Sequence, residues 1–269
     1  MEILCVTYNV LAQRFADKNY PEIDPLVLSQ PNRNEKIKKK ILNADPDIIC
    51  LQEVELATAT DDFTNEFCSR GYSNFSHVIS KKRSNPIGNL IFWKRDKFKC
   101  KETTENSTTI FVKLNSGDKS FWICNTHLKA GLRSCEQNRF SQLESTIKIC
   151  NKNTPQISNK KEASDENKTE PESIILYPII ICGDFNDDLK IKPDGLLGNI
   201  LGKNKFAVHS FDNSCCVYHR ENKAHTFYPF DVVAARDCSC EILDKHPQLV
   251  IPSREEPSDH YMCRFLVKL

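Results

Sequence analysis

Short dense apolar runs separated by polar breaks recur along the whole chain. The densest, Pro178-Ile-Ile-Ile-Cys182, is too short for a typical helix and β-branched at three positions, which predicts a strand buried on both faces. It breaks at Gly183 and delivers Asp184 and Asn186, with Asp187 and Asp188 reading as surface residues behind them. A carboxylate and an amide on the rim of a buried sheet are costly unless something uses them. Upstream, residues 3–7 predict a first strand ending at Tyr8-Asn9, followed by a loop through Pro31. Residues 33–42 read as a helix with Ile37, Ile41 and Leu42 on one face and Lys36, Lys38, Lys39 and Lys40 mostly toward water. Asp45-Pro46-Asp47 turns into a second buried strand, Ile48-Ile-Cys-Leu51, which ends at Gln52-Glu53.

A short helix over 61–69 stops at Gly71, and strands follow near 73–79, 88–93, 98–103, 109–114 and 120–125. With the Gly117-Asp118 turn between the last two, this block reads as a meander. The next helix opens on a capping box, Ser134 with Gln137, and buries Phe140, Leu143 and Ile147. Over 151–173, Ile157 and Ala163 are the only aliphatic residues, too little apolar area to offset ordering, so a disordered surface insertion is expected there. A helical segment near 196–201 and strands near 226–233, 240–243 and 261–267 complete the chain.

Composition narrows the class. At 269 residues with 39% hydrophobic residues, the chain suits one large α/β domain or two small ones with a substantial core. A net charge of +1 argues against a strongly basic nucleic-acid coat and leaves room for a local basic groove. Thirteen cysteines is a high, odd number; Cys5, Cys50, Cys124 and Cys182 sit inside apolar runs, where a thiol behaves as a small hydrophobe. Cys215-Cys216 and Cys238-x-Cys240 are too close together for a common zinc site. Reduced thiols in the cytoplasm or nucleus fit this usage, and the N-terminus does not read as a signal peptide. No apolar run approaches membrane-spanning length.

The chemistry lies in how the strands end. Four apolar runs finish in polar residues, at Asn9, Glu53, His127 and Asp184 with Asn186, and two further strands begin at Asp231 and at Asp259-His260. Sheets whose neighbours run alternately up and down would gather these ends and beginnings on one edge. Taken singly, a Glu after a strand is most often a surface residue. Taken together, carboxylates with amides and no thiolate suit a hard cation, Mg²⁺ or Mn²⁺, held partly by water and by a substrate phosphate. Two histidines near an Asp suit charge stabilisation on a phosphoryl group, and metal-assisted attack of water on phosphorus follows.

These segments resemble a known family. Thr-Tyr-Asn9-Val-Leu-Ala, Cys-Leu-Gln-Glu53-Val, Asn-Thr-His127-Leu-Lys, Cys-Gly-Asp184-Phe-Asn186 and Pro-Ser-Asp259-His260 stand in the order of the endonuclease/exonuclease/phosphatase superfamily. Asn9-Val-Leu-Ala, the helix at Arg33, Thr-His-Leu-Lys-Ala with Arg139-x-x-Gln142, and Pro-Ser-Asp-His are similar to its nocturnin and poly(A)-deadenylase branch. The resemblance implies an α/β fold, a four-layer sandwich of two mixed β-sheets flanked by helices (DNase I-like), formed by residues 1–269 as one domain. It implies Glu53 as principal metal ligand with Asn9 and Asp259 on the metal side. Asp184 would activate water, Asn186 would fix the phosphate, and His127 would stabilise the scissile group. His260 would do likewise or protonate the leaving oxygen, oriented by Asp231. Asp231 is followed by Val-Val rather than the usual Tyr and Ile, and Gly131 stands where a second basic residue is common. Lys81, Lys82, Lys129, Arg133 and Arg220 are candidates for a second substrate phosphate or an RNA backbone. The implied activity is Mg²⁺-dependent removal of the 2′-phosphate of NADP(H). The alternatives are a 3′-exoribonuclease acting on poly(A) and an inactive binding module. The substrate would be a phosphorylated nucleotide or an RNA 3′ end, with no membrane and no obligate protein partner.

Overall fold

Alternation with a period of two builds both sheets, and its two phases feed different cores. The computed structural model describes residues 1–55, 59–78, 86–131, 135–152 and 177–269. Along the chain these form β1 (Glu2–Asn9), α1 (Gln13–Asn19), α2 (Pro25–Leu28), α3 (Gln30–Ala44), β2 (Ile48–Glu55) and α4 (Ala59–Ser69). Then come β3 (Tyr72–Val78), β4 (Ile87–Lys94), β5 (Lys99–Glu105), β6 (Thr109–Ser116), β7 (Lys119–His127), α5 (Glu136–Lys152) and β8 (Ile179–Asp184). The last are α6 (Leu196–Lys203), β9 (Ala207–Ser210), β10 (Cys215–His219), β11 (Ala224–Tyr228), β12 (Asp231–Arg236), β13 (Ser239–Ile242) and β14 (Cys263–Lys268).

One sheet has the order β13-β14-β1-β2-β4-β3, the other β5-β6-β7-β8-β12-β9, and β10-β11 is a separate hairpin. Ile3 and Cys5 of β1, Ile48 and Cys50 of β2, and Ile180 and Cys182 of β8 point into the core between the sheets. The intervening Val6, Tyr8, Ile49 and Leu51 meet Ile37 and Ile41 of α3 and Phe63 and Phe67 of α4. On the other side, Ile179 and Ile181 meet Leu143 and Ile147 of α5 and Leu197 and Leu201 of α6. The result is helix, sheet, sheet, helix, the expected four-layer sandwich of mixed sheets. The thiols of Cys5, Cys50 and Cys182 are core groups, as their apolar neighbours suggested.

Several elements depart from the expectations. The loop expected up to Pro31 contains α1, α2 and the start of α3. Gln13 Nε2 donates to Asp17 Oδ1 one turn on at 2.6 Å, and Asp24 caps α2 by accepting from Leu26 N at 2.9 Å. Helices of one or two turns are too short to carry an apolar period. Lys38, assigned to the wet face of α3, is buried, because its ammonium reaches Asp62 of α4 at 2.5 Å. The meander divides: β3 and β4 join the first sheet, β5 to β7 the second. The expected strand at 226–233 is two, β11 and β12, parted at Pro229-Phe230 because proline cannot donate to a ladder. Of the expected insertion, Asn151 and Lys152 end α5 and the rest lies outside the described residues, as does Ser134 of the capping box. Among the described residues no helix is long and apolar enough to cross a membrane.

Candidate active site

Parallel pairing, rather than strict alternation of direction, brings the strand ends together. β1 runs parallel to β2 with Asn9 opposite Gln52, and β7 runs parallel to β8 with His127 opposite Asp184. β12 is antiparallel to β8 and begins at the same level, Asp231 facing Asp184. β14 runs antiparallel to β1, so the Ser258-Asp259-His260 segment before it also arrives at this edge. Gln52 and Asn125 tie the two sheets beneath it, Gln52 Nε2 donating to Asn125 Oδ1 at 2.7 Å and to Thr7 Oγ1 at 3.0 Å.

The side chains then converge. Asn9 Nδ2 donates to Glu53 Oε1 at 3.2 Å and to Asp184 Oδ2 at 3.1 Å, bridging a carboxylate of each sheet. Asp184 Oδ2 also lies 3.5 Å from Nε2 of both His127 and His260, and His127 Nε2 is 3.8 Å from Glu53 Oε1. His260 Nδ1 meets Asp231 Oδ2 at 2.8 Å, so Asp231 orients the ring despite its unusual neighbours. Asn186 N donates to Asp184 Oδ1 at 2.8 Å, and its side-chain amide donates to Leu128 O at 3.1 Å. Ser258 Oγ donates to Asn9 O at 2.7 Å, fastening the last motif to the first strand. All eight rim residues expected from the strand ends are assembled.

The backbone is strained where it serves this edge. Leu11, Glu53 and Asn186 have φ of 56°, 59° and 50°, a left-handed region that costs non-glycine residues free energy. At Glu53 the ladder between β2 and β4 shifts register between Leu51 and Val54. Irregular φ values of this kind cluster at functional sites. Buried Arg33 holds the following loop by donating to the carbonyls of Val10 at 2.9 Å, Leu11 at 2.8 Å and Pro257 at 3.2 Å.

Burial pushes the Glu53 carboxyl above the usual carboxylate range, with Asp259 adding to the shift and His127 opposing it. Asp259 is likewise raised by burial and by Asp184, against His260 and Tyr20. For His260, burial works against the imidazolium, but Cys215, Asp231 and Asp184 outweigh it and hold the ring well above its ordinary value. The Cys215 thiol is itself pushed up to about 12 by burial, so it is neutral near pH 7 and the two carboxylates carry the effect. In metal-free buffer, Asp231→Asn is therefore expected to cost most stability at low pH. With the folded pKa raised, the contribution is fully present below about pH 6.5 and is lost as pH rises through the folded value. Melting curves of both proteins across that range measure it; a gap that widens with rising pH would contradict the ion pair.

A cavity of about 780 Å³ opens over this edge, lined by Glu53, Asp184, Asn186, Asp259 and His260, with Arg220 at its rim. Its walls also include Phe15, Lys18 and Tyr20 from the α1 segment and Cys215, Tyr218 and Phe230 from the hairpin and the start of β12. None of these six was read as part of the site, since nothing local to them shows that they face the strand ends. Lys129 is exposed and does not line the cavity; its backbone N–H is held by Gln142 Oε1 at 2.8 Å. Lys81, Lys82 and Arg133 lie outside the described residues. Asp187, read as a surface residue, is buried, with its Oδ2 3.4 Å from Arg139 Nε. Arg139 in turn donates to the carbonyls of Lys129 and Gly131, both at 3.2 Å, and so ties the loop after His127 to α5.

Among the described residues no three His, Cys, Asp or Glu side chains converge closely enough to hold an ion by themselves. The donor set nonetheless fits a hard cation that takes its remaining oxygens from water and substrate. Glu53 and Asp259 are carboxylates whose charged forms burial disfavours, and His127 Nε2 and Asp231 Oδ1 are buried without a hydrogen-bond partner.

No family model matches the chain. It is 27% identical over 224 residues to the CCR4-Not complex 3′-5′-exoribonuclease subunit Ccr4 of Saccharomyces cerevisiae, covering 67% of this chain and 25% of that protein. It is 23% identical over 222 residues to Nocturnin of Drosophila melanogaster, covering 75% of this chain and 31% of that one. The chain thus spans a quarter to a third of the length of these relatives. The crystal structure of ANGEL2, a 2′,3′-cyclic phosphatase, in complex with adenosine-2′,3′-vanadate superposes with a TM-score of 0.75 at 17% identity, covering 100% of this chain and 96% of that one. Two mixed sheets back to back, with the polar motifs meeting on one rim, give the chain the fold of the ANGEL2 structure and of an endonuclease/exonuclease/phosphatase from Bacteroides vulgatus, which superposes with a TM-score of 0.62 at 14% identity, covering 99% of this chain and 98% of that one. By sequence it is similar to the Ccr4 and Nocturnin proteins.

Proposed function

We propose that the chain hydrolyses a phosphate ester on the ribose of a nucleotide or of an RNA 3′ end, with residues 1–269 acting as one domain. The observation that carries this reading is the convergence of Glu53, Asp184 and His260 on the wall of a cavity, with Asn9 donating to both carboxylates and His127 3.5 Å from Asp184. Glu53, with Asn9 and Asp259 beside it, would hold Mg²⁺ or Mn²⁺, which when bound supplies Lewis-acid polarisation of a phosphoryl oxygen. Asp184 accepts the proton of the attacking water as the new P–O bond forms. His127 donates its N–H to a non-bridging oxygen, and Asn186 keeps the Asp184 loop closed on Leu128. His260, held as imidazolium by Asp231 and Asp184, gives its proton to the ribose oxygen as the old P–O bond breaks.

Two substrates compete. The likeness to Ccr4, higher in identity than that to Nocturnin, supports the 3′-exoribonuclease reading. The cavity volume, about 780 Å³, suits a single small-molecule ligand and supports the 2′-phosphate of NADP(H), a dinucleotide, as the second reading. We place the RNA 3′ end first on the sequence likeness. Thirteen free thiols support a reducing compartment, the cytoplasm or nucleus. The test supplies purified protein with Mg²⁺ and either 5′-labelled oligo(A) or NADP⁺ and NADPH. A ladder of shortened RNA is expected under the first reading and released phosphate under the second. Activity on neither would return weight to a binding module.

A further inference from the structure

The short helix α1 touches both carboxylates assigned to the cation side. At its N-terminal end Ala12 N donates to Glu53 Oε2 at 3.1 Å. At its C-terminal end Tyr20, buried and lining the cavity, donates its hydroxyl to Asp259 Oδ2 at 2.8 Å. The same hydroxyl lies 3.0 Å from Cys216 O, but a phenol has one proton, and the nearer, charged acceptor takes it. The Asp259 carbonyl is pinned in turn by Cys216 N at 2.8 Å. The ring packs on Leu11, Ala16 and Leu28, so its hydroxyl is delivered from a fixed support.

We propose that Tyr20 is a positioning residue that fixes the Asp259 carboxylate for the divalent cation, with α1 acting as a strap between Glu53 and Asp259. The proposal rests on the phosphoesterase reading above. Tyr20 acts through Asp259, so removing the hydroxyl weakens the cation side and leaves the substrate walls intact. Phenylalanine keeps the ring and its packing, so Tyr20→Phe isolates the hydrogen bond.

The experiment is a double-mutant cycle of Tyr20→Phe and Asp259→Asn, read by Mn²⁺ binding in calorimetry and by kcat and KM separately. Tyr20→Phe is expected to weaken Mn²⁺ binding about tenfold and to lower kcat by a similar factor with KM little changed. In the Asp259→Asn background the same substitution is expected to change neither by more than about twofold. Additive losses in the double variant, or a rise in KM with Mn²⁺ binding intact, would overturn the proposal and make Tyr20 a direct substrate contact. Wild-type protein that turns over substrate while Tyr20→Phe matches it refutes the proposal and leaves the phosphoesterase reading standing. Wild-type protein that neither binds Mn²⁺ nor turns over refutes that reading, and the proposal with it.

Discussion

Glu53→Ala is expected to lower turnover by about a thousandfold, equivalent to roughly 4 kcal/mol of transition-state stabilisation. The melting temperature at pH 7 is expected to hold or rise. Both halves follow from the same geometry. Glu53 is the carboxylate nearest His127 on the β2 side of the rim, 3.8 Å away, and it shares the amide of Asn9 with Asp184. Burial raises its pKa, so the folded protein disfavours the charge it carries at pH 7. Deleting the carboxylate removes that penalty and the repulsion from Asp259. Against this stand two lost hydrogen bonds, from Ala12 N and from Asn9 Nδ2. Turnover of oligo(A) and NADP⁺ beside a thermal melt measures both quantities. Activity within about tenfold of wild type would remove Glu53 from the cation side, and a sharply lower melting temperature would make it a structural group.

Gly183→Ala carries the largest expected loss of stability. An added Cβ would lie 1.9 Å from the carbonyl oxygen of Thr126 in the adjacent parallel strand, and φ at Gly183 is +138°. Backbone atoms of a central strand cannot yield as a flexible side chain can. The expected cost exceeds about 4 kcal/mol, in the range reserved for severe core or backbone disruption. The adjacent Asp184 accepts from Asn9 and Asn186, so whatever fraction still folds should also lose turnover. Denaturant unfolding followed by circular dichroism tests this; a loss below about 1 kcal/mol would mean that β7 and β8 can part here without penalty.

The contrast between these two neighbours shows how differently residues announce themselves. Asp184 was visible because it interrupts an apolar run, and the same reasoning found Asn9, Glu53 and His127. Gly183 was visible only as a break, since its close approach to Thr126 depends on which strand lies beside β8. Tyr20 was invisible, because its partner Asp259 is 239 residues away in the chain. Asp187 was misread for the same reason: its partner Arg139 comes from α5, a separate segment packed on the outer face of the β8 sheet.

Short dense apolar runs and their polar tails, both local properties, therefore dictated that this chain forms buried strands with a polar rim. They also supplied the chemistry of that rim, because a buried carboxylate is too costly to keep idle. Strand neighbours were not local information. The parallel pairing of β1 with β2 and of β7 with β8, and the division of 72–127 between two sheets, depend on contacts between distant segments. So do the aromatic walls of the cavity and the α1 strap. Alternation says which residues face inward; only packing chooses what they face.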